Sequence, residues 1–148
     1  MTAASTHAVS RAEPISANRS TSVSVWAGRV LTGIVSLFLT FDVAVKLLEI
    51  PAAVEGTAQL GFPPHALLTI GVLGLICLVL YLVPRTAVLG AVLWTGYLGG
   101  AIATHLRLEN PLFSHTLFPV YVGAFIWVGL WLRMPPLRAI APFVREQN

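Results

Sequence analysis

Asp42, Lys46 and Glu49 recur at i, i+4 and i+7, so on a helix they share one face. Thr104, His105, Arg107 and Glu109 close a second apolar stretch, Ser114 and His115 open a third, and His65 opens another. Carboxylates, imidazoles and cations brought together can relay protons or hold the oxygen atoms of a ligand. Covalent catalysis has little to work with. No serine elbow, phosphate-cradling loop or HExxH pattern is present, and Ser114 has no motif around it. His105 and His115, with Glu109 or Asp42 adding a carboxylate, could offer ligands to a metal or haem. Two histidines are too few for a closed zinc site, which wants four ligands, so no metal is expected. The single cysteine, Cys77, lies in the apolar run Leu73 to Leu80 and can form neither an internal disulfide nor a CxxC pair. It reads as a small apolar residue of a helix.

These side chains need elements to carry them, and the composition says which. The chain has 148 residues, enough for one compact domain, of which 56% are hydrophobic and 10% charged. A soluble domain carries about 25% charged residues. Much of this surface must therefore face lipid. Four apolar segments, at about 26–48, 65–83, 86–106 and 115–133, meet the usual length of a membrane-crossing helix, the last only just. Each must be helical, because lipid offers the backbone no hydrogen-bond partner. Pro84-Arg85, Asn110-Pro111 and Pro135-Pro136 mark the breaks. The longest connection starts at Pro51, suited to a first helical turn, and stops at Gly61-Phe62-Pro63-Pro64, with Gly61 fitting a C-cap position. A short interfacial helix is expected over about 52–60, with Leu60 and Phe62 dipping into lipid or onto the bundle. The fold expected is thus all-α, an integral membrane four-helix bundle running up-down-up-down over residues 25–134. Residues 1–24, rich in Ser, Thr and Ala, read as a mobile tail with no apolar core for a signal peptide, and 135–148 as a C-terminal cytoplasmic tail.

Four crossings put both termini on one side. That side holds Arg11, Arg19, Arg29, Arg85, Arg133, Arg138 and Arg145, against Lys46 and Arg107 on the other. The positive-inside rule then makes the termini cytoplasmic, and the net charge of +3 is mostly this excess. The basic residues are scattered singly, so no nucleic-acid surface is expected. Trp26, Tyr81 and Trp131 fall near the cytoplasmic interface, while Trp94 and Trp127 lie deeper and should fill the bundle.

The up-down order gathers Asp42, Lys46, Glu49, Thr104, His105, Arg107, Glu109 and His115 at the far mouth. Asp42 lies at membrane depth, where a carboxylate costs about 2.5–3.5 kcal/mol on insertion scales. It needs a partner: Lys46 within the helix, or Arg107 or His105 across helices. Two readings fit the group. It is a polar knot that pins helix ends together, or a small pocket open to the outer face. Gly96 and Gly100 form a GxxxG spacing that lets another backbone come close, with Gly71 and Gly74 as the matching groove or a second copy of the chain as partner.

The stretch "GAVLWTGYLGGAIATHLRLENPLFSHTLFP", from Gly90 to Pro119, resembles the DoxX-like family of small bacterial membrane proteins. "LGFP" from Leu60, "VPR" from Val83 and "WLR" from Trp131 stand in the order that family shows, and the resemblance spans about Val30 to Pro142. It implies a four-helix protein of the bacterial inner membrane. It implies little about activity, although the wider group is linked to thiosulfate:quinone oxidoreduction and to complexes handling oxidative or thiol stress. The expectation is an accessory subunit binding a quinone or another small lipophile at the polar mouth, or docking a membrane redox partner there. The alternatives are a subunit of a membrane redox enzyme, in which His105 or His115 relays protons and Asp42 tunes them, and a small transporter acting as a dimer through Gly96 and Gly100.

Overall fold

The structure, a computed structural model, describes the backbone of residues 15–140 and the side chains of residues 23–138. Arg11 and Arg145, and most of both expected tails, lie outside the described residues. Those described form helices and turns, with no strand among them. In order they are α1 (Ile15–Leu47), α2 (Pro51–Gln59), α3 (Ala66–Leu82), α4 (Ala87–Arg107), α5 (Phe118–Arg133) and α6 (Pro135–Ile140), with a π-helical turn at Leu112–Thr116. Helix α1 starts earlier than the expected residue 26. Once an apolar helix is nucleated, adding Ser, Thr and Ala residues to its end costs little, so the helix continues into the segment that reads as tail. Pro135-Pro136 ends α5 as expected but opens α6, because proline suits a first helical turn.

Among the described residues, three stretches are long and apolar enough to cross a membrane: Val23–Leu47, Ala87–Arg107 and Leu112–Arg133. The last includes the π-helical turn, so the segment expected to be barely long enough is comfortably so. The short one is α3, with 17 residues spanning about 26 Å at 1.5 Å per residue.

Helix α1 packs against α3 and α5, and α4 packs against the same two. Leu39, Val43, Leu78, Tyr81, Ala91, Trp94, Ile126 and Leu130 fill the space between them. Glycines set the closest approaches. A Cβ on Gly129 would lie 2.9 Å from the Thr32 hydroxyl, and one on Gly28 would lie 2.7 Å from the Arg133 backbone nitrogen, so early α1 lies against late α5. Gly71 and Gly74 take Lys46, Leu47 and Val43 of α1. The expected pairing of these glycines with Gly96 and Gly100 of α4 is therefore corrected: α4 closes on α3 through Gly90, where a Cβ would collide with the Tyr81 backbone. The tight turn between these two helices is held by Thr86, whose hydroxyl donates to the Leu80 carbonyl at 2.9 Å.

Around this core Ile34, Leu37, Phe41, Leu73, Ile76, Val79, Leu89, Val92 and Phe125 are exposed. Such a continuous apolar exterior suits lipid and not water. At one end, Tyr81 is fully buried and donates its hydroxyl hydrogen to the Ile126 carbonyl at 3.1 Å, while Arg133 lies 5.3 Å over its ring. Arg138 donates to the Ser24 hydroxyl at 2.9 Å and stands 5.3 Å over the Trp131 ring. The other end gathers the polar residues.

Candidate functional site

Asp42 and Lys46 sit one turn apart near the end of α1 and form an ion pair. Both are partly buried, with 34% and 20% of their side chains exposed, so neither is left at depth without its opposite charge. Of the partners open to Asp42, the structure selects the intrahelical one. Arg107 turns away instead, and its Nη2 donates to the Leu60 carbonyl at 2.8 Å, tying the end of α4 to the end of α2.

Two cavities meet at this pair. One, about 530 Å³, is walled mostly by apolar groups, including Phe38, Leu39, Leu73, Trp94, Tyr97, Phe118 and Val122, with Asp42, Lys46, Thr57, Thr104 and His105 among its polar groups. The other, the more polar chamber of about 600 Å³, is lined by Asp42, Lys46, Gln59, His105, Asn110 and His115 and also by Val45, Leu67, Leu108 and residues of α2. Asp42, Lys46, Thr57, Leu60 and His105 border both, so the two adjoin.

The histidines are held by their neighbours. Asn110 Nδ2 lies 2.9 Å from His105 Nδ1. An amide nitrogen can only donate, so neutral His105 carries its ring proton on Nε2, where it can be offered elsewhere. His115 Nδ1 lies 2.8 Å from the Ser114 hydroxyl, and the two imidazoles stand edge to face with centroids 5.9 Å apart. The π-helical turn after Pro111 carries Ser114 and His115 and is anchored by Thr116, whose hydroxyl donates to the Asn110 carbonyl at 3.3 Å. Thr104 donates to the Gly100 carbonyl at 2.9 Å, which leaves its oxygen lone pairs available. No group of three or more His, Cys, Asp or Glu side chains able to hold a metal ion converges among the described residues.

Of the residues expected at the mouth, Asp42, Lys46, Thr104 and His105 line the apolar cavity, and His115 joins Asp42, Lys46 and His105 around the polar chamber. Glu49, Arg107 and Glu109 border neither. Helical spacing puts Glu49 on the Asp42 face, but α1 ends at Leu47 and Glu49 turns left-handed at φ 48°. Glu109, just past α4, does the same at φ 54°, and both are exposed. His65 stays exposed at the start of α3 and lines neither cavity. Gly61 does cap α2 as expected: at φ 78° it donates its N–H to the Ala58 carbonyl at 2.9 Å. Leu60 and Phe62 line the apolar cavity.

Sequence reasoning missed several contributors. Asn110 reads in the sequence only as a chain break, and its hold on His105 follows from how the backbone turns after α4. Tyr97, Trp94 and Phe38 carry no polar signal that separates a cavity wall from a packed core. Gly96 and Gly100, expected as a packing seam, line the apolar cavity, and a Cβ on either would meet no atom within 4 Å.

Comparison with curated proteins and with solved structures gives no match. The sequence pattern of the DoxX-like family matches residues 30–129, short of the Pro142 to which the resemblance was expected to reach. That span takes in the second half of α1, all of α2 to α4 and most of α5, and on it the chain belongs to the DoxX-like family.

Proposed function

We propose that this protein crosses a bacterial inner membrane four times, up-down-up-down with both termini cytoplasmic, and binds a small lipophile at the far end of the bundle. The lengths of three helices and the lipid-suited exterior support the crossings, with the shorter apolar helix α3 as the fourth. Contacts support the order: early α1 lies against late α5, Gly74 meets Val43, and Thr95 of α4 meets Trp127 of α5. Arg29, Arg85, Arg133 and Arg138 share the end opposite Lys46 and Arg107, which supports the orientation.

One observation carries the ligand reading. A cavity of about 530 Å³ has apolar walls and a single polar end where an ion pair and a tautomer-fixed imidazole converge. That is the size and make-up of a small-molecule site, in which apolar walls supply affinity and a few polar groups fix orientation. His105 Nε2–H and the Lys46 ammonium are donors suited to an oxygen of the ligand. With Cys77 alone and buried, dithiol chemistry would fall to a membrane redox partner, and the chain acts as an accessory subunit that holds the lipophile.

The test is extraction and mass spectrometry of protein purified in mild detergent. The wild type should retain a defined lipophilic species in near-stoichiometric amount. Gly100→Leu, which puts a side chain into open cavity space, and His105→Ala should each lose it while remaining folded. Equal recovery of the same lipids from all three proteins would end the proposal.

A further inference from the structure

We infer that the ligand is a single-chain amphiphile with an oxyanion head, a carboxylate or phosphate, whose chain fills the apolar cavity while its head enters the polar chamber against Lys46 and His105. This rests on the proposed lipophile site, and on there being two chambers, not one. They adjoin along Asp42, Lys46 and His105 and differ in degree of polarity: aromatic and aliphatic groups wall most of the first, while the second adds Gln59, Asn110 and His115 to the shared polar residues and keeps Val45, Leu67 and Leu108 in its wall. A lipophile with carbonyl oxygens only would end at the shared border and leave the polar chamber unused. A molecule with two chemically unlike halves uses both.

The sign of the head follows from the groups at the border. Lys46 has three N–H donors and Asp42 engages one side of it. His105 offers Nε2–H, because Asn110 already occupies Nδ1. Asn110 keeps a second amide hydrogen. The one anionic acceptor in the lining is Asp42, and it is already paired. An anionic head therefore meets free donors, whereas a cationic head would have to displace Lys46 from its partner. Charge-assisted hydrogen bonds are the strong ones, so the head should dominate orientation. The chain is single because a cavity of about 530 Å³ is drug-sized, too small for the two acyl chains of a membrane lipid. Asp42 also sets how tightly an anion is held, because it shares the Lys46 charge.

The experiment titrates nanodisc-embedded protein with 11-bromoundecanoate, 11-bromoundecyl phosphate and 11-bromoundecanol, reading quenching of tryptophan fluorescence. Trp94 borders the apolar cavity, and Gly100→Leu protein gives the bilayer background. Lys46→Met should weaken the two anions by about tenfold or more and leave the alcohol unchanged. Lys46→Arg should restore the anions, showing that charge and not folding was lost. Asp42→Asn, which frees Lys46 at constant shape, should tighten the anions several-fold, again without effect on the alcohol. The stronger of the two anions names the head. If the alcohol and the anions respond alike to Lys46→Met and Asp42→Asn, while Gly100→Leu still blocks all three, the oxyanion head is refuted and the lipophile cavity stands. If Gly100→Leu protein is quenched like the wild type by every probe, both are refuted.

Discussion

Helix α4 carries glycines in two settings, and replacing each by alanine should give opposite results. At Gly90 a Cβ would lie 2.7 Å from the Leu80 carbonyl carbon and closer still to the Tyr81 backbone. These are backbone atoms at the end of α3, pinned by the Thr86 hydroxyl and by the buried Tyr81 side chain, so they cannot swing aside as a side-chain tip would. Overpacking of a filled interior costs about 1–3 kcal/mol, and a backbone collision belongs at the upper end. The gain from replacing a mid-helix glycine, about 0.5–1 kcal/mol, offsets only part of that. At Gly96 and Gly100 a Cβ meets nothing within 4 Å, so only the gain remains. Gly90→Ala should therefore destabilise by about 2 kcal/mol, and Gly96→Ala or Gly100→Ala should stabilise by about 0.5 kcal/mol. The protein has its own reporter. Cys77 is its one cysteine and is buried, so a thiol-reactive fluorophore lights up only on unfolding. Thermal ramps in detergent should place Gly90→Ala about 5 °C or more below wild type, with the other two at or above it. Comparable losses for all three would refute the assignment of Gly96 and Gly100 to an open wall. They would point instead to the self-association seam, in which case the Gly100→Ala protein should also run as a smaller species.

Three further outcomes follow from single contacts. Trp127 donates its indole N–H to the Thr95 hydroxyl at 2.9 Å, so Trp127→Phe should cost about 0.5–1 kcal/mol, and a double-mutant cycle with Thr95→Val should show that the two losses do not add. Helix α2 has no buried residue, and Arg107 gives this segment its side-chain tie to α4. Arg107→Gln should therefore raise amide hydrogen exchange across 51–60 while leaving α3 and α4 protected. In a Cys77→Ala background, a membrane-impermeant maleimide applied to intact cells should label Gln59→Cys but not Arg85→Cys, and the reverse pattern would invert the proposed orientation.

The polar convergence was legible because of a strong constraint. Charges are costly in lipid, so the few present near segment ends mark the mouth, and the alternation expected of successive helices says which ends meet. Asp42, Lys46, Thr104, His105 and His115 come together for that reason. Glu49 and Glu109 obey the same spacing arithmetic but fall two residues past a helix end, where the chain turns left-handed and carries the side chain off the face. Helix ends are decided by backbone hydrogen bonding that composition does not reveal. The glycines show a deeper limit. A GxxxG spacing reports that a strip of helix has no side chains, and nothing more. Gly71 and Gly74 use that absence to admit α1, Gly90 to admit the end of α3, and Gly96 and Gly100 to leave a hollow. Close packing and an open pocket require the same missing atom from the sequence. What separates them is whether another backbone arrives, and that depends on the angles at which all four helices meet, which no single segment encodes. Four helices whose residues were each chosen to fill space would leave no cavity. The hollow persists because Phe38, Phe118 and Leu73 border it without reaching across to the glycine wall.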